Sequence, residues 1–149
     1  MNRDKLNQII DFAVQREREA AQFYLDLQQV SGFQEHRALL QQLSEVESQH
    51  VTALEKIRRQ AELSGDTDYS TDVDLGDFTV PFEAPTQLSY ADLLRTAIKR
   101  EAKSHKLYLE LARSVTDPDL KKVYLRLAGE EAAHKRYFEK IYDEEIFED

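Results

Sequence analysis

Six residues carry the chemistry that can be read from this sequence: Glu17, Glu101 and two Glu-x-x-His pairs, Glu47 with His50 and Glu131 with His134. Within a helix, a spacing of three sets carboxylate and imidazole on one face a turn apart, where both reach toward the same point. Four carboxylates converging in a core without a counterion would each cost on the order of several kcal/mol. Two divalent metal ions would balance their four charges, so the chemistry implied is that of a two-metal centre. Cysteine is absent, which excludes disulfides, thiolate metal sites, cysteine nucleophiles and a rubredoxin-type iron site within this chain.

The elements that must position these groups are four amphipathic segments, read from apolar residues at alternating spacings of three and four, over 3–30, 34–63, 89–115 and 118–146. The inward seam of the first is Ile10, Ala13, Glu17, Ala20, Tyr24 and Leu27, and that of the second Leu40, Leu43, Glu47, His50, Leu54 and Ile57. The third carries Leu94, Ala97, Glu101, Ser104, Tyr108 and Leu111, the fourth Leu120, Tyr124, Leu127, Glu131, His134, Phe138 and Ile141. Every seam has acid at its middle. Ser31-Gly32 is a stop signal between the first pair, and Thr116-Asp117-Pro118 is a cap and restart between the second, so each pair forms an antiparallel hairpin. Glu17 lies about 15 residues before its break and Glu47 about 15 after. With Glu101 and Glu131 placed almost as evenly, all four fall at one height at a rise of ~1.5 Å per residue.

Between the hairpins, about 64–89, Gly65, Gly76, Pro81 and Pro85 stand among Asp and Thr residues with no helical period. A connection this long can carry the chain from one end of a bundle to the other, making the second and third helices parallel. A disordered linker and an exchange of hairpins between subunits are the other readings. The halves also repeat. Ala13, Arg16, Glu17 and Tyr24 correspond to Ala97, Arg100, Glu101 and Tyr108, and Leu43, Glu47, His50 and Ile57 to Leu127, Glu131, His134 and Ile141, always 84 positions on. One unbroken offset implies a pseudo-twofold bundle.

Composition sets the frame. A chain of 149 residues with 33% charged residues, four Gly and three Pro is expected to be one all-α domain, 1–149. The net charge of −9 speaks against nucleic acid as a partner; an acidic surface suits cations, and equally serves solubility. No apolar run reaches transmembrane length and no secretory segment leads the chain, so no membrane association and a cytoplasmic location are expected.

Two helices giving one Glu each and two giving Glu-x-x-His is the ligand arrangement of di-iron and di-manganese ferritin-like bundles. Ala-x-x-x-Glu-x-x-Ala-x-x-Phe-Tyr at Ala13 to Tyr24 and Leu-Ala-x-Glu-Glu-x-x-His at Leu127 to His134 resemble patterns of the rubrerythrin-related branch of the ferritin-like superfamily. The resemblance covers all four helices. It implies a ferritin-like four-helix bundle of two antiparallel hairpins joined by a long crossover, with Glu17 and His50 on one metal, Glu101 and His134 on the other, and Glu47 and Glu131 bridging. Two departures stand out. Full-length rubrerythrins append a rubredoxin-like domain, which is not expected here, and they often carry a further glutamate one turn on in the third helix, where this chain has Ser104. The ligand set is thereby closer to the symmetric pattern of bacterioferritin-like centres.

Other residues weigh less. Tyr24 and Tyr108 follow their glutamates by seven and could hydrogen-bond the ligands, or could be core aromatics with any acceptor. His36 and His105 lie off the seams and read as surface residues, as do Glu45 and Glu130, which rotate away by about 100° per residue. Phe12, Phe23, Leu25, Leu107 and Leu109 widen the apolar arc, for thick core packing or a homodimer face. The acidic end from Asp143 to Asp149 reads as a solvated helix end. With one imidazole and mostly carboxylate oxygens per metal, two iron ions are expected, with manganese or zinc as substitutes. The function read from this is a di-iron oxidoreductase, by resemblance a peroxidase or ferroxidase, acting on hydrogen peroxide or dioxygen with a separate electron-donor protein. Iron storage in a shell is the alternative, and a metal-free helical interaction module a third reading.

Overall fold

A computed structural model describes residues 2–64, 73–78 and 88–147. Four helices dominate: α1 (Asn2–Leu27), α2 (Arg37–Ser64), α3 (Tyr90–Ser114) and α4 (Pro118–Tyr142). Short 3-10 turns cover Gln34–His36 and Leu75–Phe78, and a π turn covers Asp143–Phe147. Among the described residues there is no strand.

Local chemistry fixes the helix ends. Ser89 caps α3 by accepting from the Asp92 amide at 3.1 Å. Asp117 caps α4 by accepting from Asp119 and Leu120 at 2.8 and 3.3 Å, with Pro118 opening the first turn. α1 stops at Leu27, earlier than the period implied, because the amides of Gln28, Gln29 and Val30 turn to carbonyls three residues back and tighten its last turn. Gly32 then reverses the chain at φ 99°, and a Cβ there would stand 2.7 Å from the Tyr90 ring. Both the left-handed backbone and the close approach require glycine.

The apolar seams close into two clusters. One joins the first half of α1 to the second halves of α2 and α3 and the start of α4, around Ile10, Leu54, Leu111 and Tyr124. The other joins the opposite ends, around Tyr24, Leu40, Leu94 and Phe138. Because the first halves of α2 and α3 pack in the same cluster, those helices run parallel. The chain therefore has to travel the length of the bundle between Ser64 and Tyr90, as a crossover does. Gly65, Pro81 and Pro85 lie outside the described residues. Within the crossover, Phe78 is buried against the first cluster, its carbonyl accepts from Arg16, and the Asp77 carbonyl accepts from Lys103 Nζ at 2.9 Å. That stretch spans α1 and α3 rather than hanging free.

Phe23 and Leu107 are core residues and Phe12 and Leu109 are partly buried, which is thick packing, whereas Leu25 is 37% exposed. In the acidic end, Asp143, Glu144 and Glu145 are exposed, as a solvated terminus requires, and Glu145 also has partners. Glu145, though exposed, accepts from the Tyr90 hydroxyl at 2.9 Å and meets His36 Nε2 at 3.0 Å. His36 in turn meets the Tyr137 hydroxyl at 2.9 Å through Nδ1. A charged residue just past α4 finds partners because α2 and α3 both begin at the height where α4 ends.

Candidate metal centre

Between the two apolar clusters lies a polar layer. Glu17, Glu47, His50, Glu101, Glu131 and His134 are all buried, with at most 6% of any of them exposed. Each comes from the middle of its helix, where the seam puts it inward and the hairpin geometry puts it at the common height. His50 Nδ1 lies 2.5 Å from Glu17 Oε2, 3.1 Å from Glu131 Oε1 and 3.7 Å from Glu47 Oε1. His134 Nδ1 lies 3.3 Å from Glu47 Oε1 and 3.6 Å from Glu101 Oε2. Glu17, Glu47, His50 and Glu131 offer one ligand atom each within 4.8 Å of one another, as do Glu47, Glu101, Glu131 and His134. Glu47 and Glu131 belong to both groups.

Hydrogen bonds do not satisfy this layer. Both carboxylate oxygens of Glu47 and of Glu131, Oε2 of Glu101 and Nδ1 of His134 are buried without a hydrogen-bond partner. The proton on His50 Nδ1 can serve one acceptor well, and Glu17 Oε2 is the nearest. Burial first, then the neighbouring glutamates, pushes Glu47 and Glu131 well above the usual carboxylate range. Burial works against a charged His50, but the adjoining Glu131 and Glu17 carboxylates outweigh it and raise the imidazole to about 10. Orphaned buried acceptors cost free energy, and these converge in two overlapping sets rich in carboxylate oxygen with one imidazole each. That donor set fits hard or borderline divalent ions such as iron or manganese. The cluster is therefore one that could bind metal.

Around the six stand the two tyrosines, both buried. The Tyr24 hydroxyl donates to Glu101 Oε1 across the bundle, and Tyr108 reciprocates with Glu17. Burial, reinforced by the nearby carboxylates, raises both phenols well above their ordinary range, which keeps them protonated as donors. His105 meets the Ala128 carbonyl through Nδ1 at 2.8 Å and stays out of the site, and Glu45 is exposed.

Glu130 departs from its reading as a solvated residue. Its Oε1 lies 2.6 Å from His50 Nε2. Facing, judged on its own helix, is right for Glu130, since its side chain remains 43% exposed; what that judgement omits is the imidazole edge that α2 presents beside it. A second omission is Arg16 and Arg100, buried at 8% and 4% exposure directly before Glu17 and Glu101. Their guanidiniums stack on Phe12 and Phe23 at 5.7 and 5.3 Å. The Arg-Glu pair repeating at the offset of 84 was the available signal.

No helix among the described residues is long and apolar enough to cross a membrane. The model of the rubrerythrin family matches residues 92–148, which takes in nearly all of α3, α4 and the π turn, and with them Glu101, Glu131 and His134. No curated protein and no solved structure gives a significant match.

Proposed function

We propose that this rubrerythrin-related, ferritin-like chain is a di-iron-carboxylate oxidoreductase that reduces hydrogen peroxide or dioxygen with electrons from a separate donor. The observation that carries this reading is the set of buried, unpartnered carboxylate oxygens and the unpartnered imidazole nitrogen in one layer. In this reading Glu17 and His50 hold one iron, Glu101 and His134 the other, and Glu47 and Glu131 both. Held there, two adjacent redox metals would supply two electrons together, which with two protons would take one hydrogen peroxide to two waters without releasing a radical.

The remaining work belongs to the protein. Tyr24 and Tyr108 hold the Glu101 and Glu17 carboxylates in place by hydrogen bonds from the opposite helix, as groups behind a ligand do in metal sites generally. The two apolar clusters above and below the layer keep bulk water from the carboxylates. Cysteine is absent, so no thiolate iron centre among these residues can feed electrons to the site, and a donor outside them is required.

The test is anaerobic loading with ferrous iron, followed by stopped-flow mixing with hydrogen peroxide and, separately, with dioxygen. Oxidation of the bound iron much faster than that of free ferrous ion, consuming about one peroxide per two irons, supports the reading. Loaded protein that reacts no faster than free iron with either oxidant contradicts it.

A further inference from the structure

The two hairpins match at an offset of 84 positions at all six glutamates and histidines of the layer, yet the residue before each doubly shared glutamate differs: Glu130 precedes Glu131, while Val46 precedes Glu47. Glu130, on α4, reaches across to α2 and places Oε1 2.6 Å from His50 Nε2. The other ring nitrogen of His50 points at Glu17, Glu131 and Glu47. This imidazole is held at both edges. His134 presents Nδ1 to Glu47 and Glu101, but no hydrogen bond to its Nε2 is formed among the described residues, and the counterpart position on α2 offers only the methyl groups of Val46.

We propose that Glu130 is a positioning residue that makes the two metal positions unequal, the Glu17/His50 position being pre-oriented and the tighter of the two. With a metal in place of the Nδ1 proton, an Nε2–H donated to a carboxylate holds the imidazole in the tautomer whose Nδ1 lone pair faces the metal, fixes the ring plane and makes the ring a stronger donor to metal. Among the described residues nothing gives His134 any of these three, and its ring has to be ordered by the metal itself. Because the Glu130 side chain is 43% exposed, it supports His50 from the solvent side without adding a fifth fully buried carboxylate to the layer. This inference rests on the two-metal reading of the site.

The experiment is a titration of chelator-treated, folded protein with cobalt(II), followed by calorimetry and by the visible absorption of the bound ion. Wild type is expected to fill in two steps of different affinity. Glu130→Ala should weaken the tighter step about 10- to 100-fold, the usual loss when a group behind a ligand is removed, and leave the other step unchanged. Glu130→Gln keeps an acceptor oxygen and should fall between the two. In zinc-loaded protein, the Nε2–H proton of His50 should be visible by NMR and should broaden into solvent exchange in Glu130→Ala. A Glu130→Ala protein that titrates as wild type, or one in which both steps weaken alike, overturns the inference while leaving two-metal binding intact. Wild type that binds no cobalt overturns both.

Discussion

The polar layer and the apolar clusters on either side of it are built from the same four seams at the same spacing, yet they are stabilised by opposite means. In the clusters, residues such as Leu54 and Leu94 are wholly buried and gain from contact with one another whatever the solution contains. In the layer, burial is as complete, but six oxygens and nitrogens have no partner and the groups raise one another's protonation. The bundle thus folds around a layer that it does not itself satisfy. The ends account for stability, and the middle is left with polar atoms to spare.

The most disruptive way to break this contrast is in an end. Leu54→Ala should cost about 2–5 kcal/mol, read by denaturant unfolding, and the loss should be the same with and without metal. A loss confined to the metal-free form would mean that the layer and the ends are not separate.

Neutralising a glutamate in the layer should act with the opposite sign. Glu47→Gln should stabilise the metal-free protein at pH 8, by about 1–3 kcal/mol for removal of an uncompensated buried group, while abolishing tight binding at both metal positions. The gain should shrink toward pH 5, because burial and the neighbouring glutamates raise Glu47 well above the usual carboxylate range. A destabilised metal-free Glu47→Gln protein would show that the glutamates do not repel one another.

The pH dependence sharpens the same point. Glu47 and Glu131 have folded values raised above 4.5, so the folded chain holds more protons than the unfolded one and loses stability as pH rises above that value. His50, raised from 6.5 to about 10, contributes stability that is complete below 6.5 and lost between 6.5 and 10. Both contributions fall in the same direction. Melting temperatures of the metal-free protein should therefore decline from pH 5 to 9, by about 2–4 °C for each kcal/mol lost. Divalent metal, which binds only the folded state, should oppose the decline, so that chelation lowers the melting temperature more at pH 8 than at pH 5. A flat metal-free profile would contradict the charge assignment of the layer.

The smallest effect is expected away from both regions. Glu110 and Arg113 pair on the exposed face of α3 at 2.5 Å, and Glu110→Ala should change stability by less than about 0.5 kcal/mol. A larger loss by the same unfolding measurement would assign α3 an additional role.

Much of this was open to inspection in the residues alone. Alternating spacing placed Glu17, Glu47, His50, Glu101, Glu131 and His134 inward, and the distances to Gly32 and Pro118 placed them at one height, because a helix turns and rises by fixed amounts. The cap and proline at Asp117-Pro118 gave the start of α4 to within a residue. What escaped depends on neighbours rather than on the helix's own period. Glu130 lies off its seam but has a long side chain, and only the approach of α2 brings His50 within its reach. Glu145 and His36 are far apart in sequence and meet because two helix ends finish together. Arg16 and Arg100 are charged residues at positions where burial is not expected; stacked rings cover both guanidiniums, and the Leu75–Phe78 turn meets Arg16. For the polar layer, the decisive information was height, which any helical hairpin supplies; for the groups behind it, it was interhelical contact, which no single segment contains.

The most direct test of the central claim is elemental analysis of the folded protein after anaerobic reconstitution with ferrous iron and removal of loosely bound ion. About two metal ions per chain are expected, with helical content unchanged and with both lost in Glu47→Gln. Wild type that stays helical and retains no metal would contradict it.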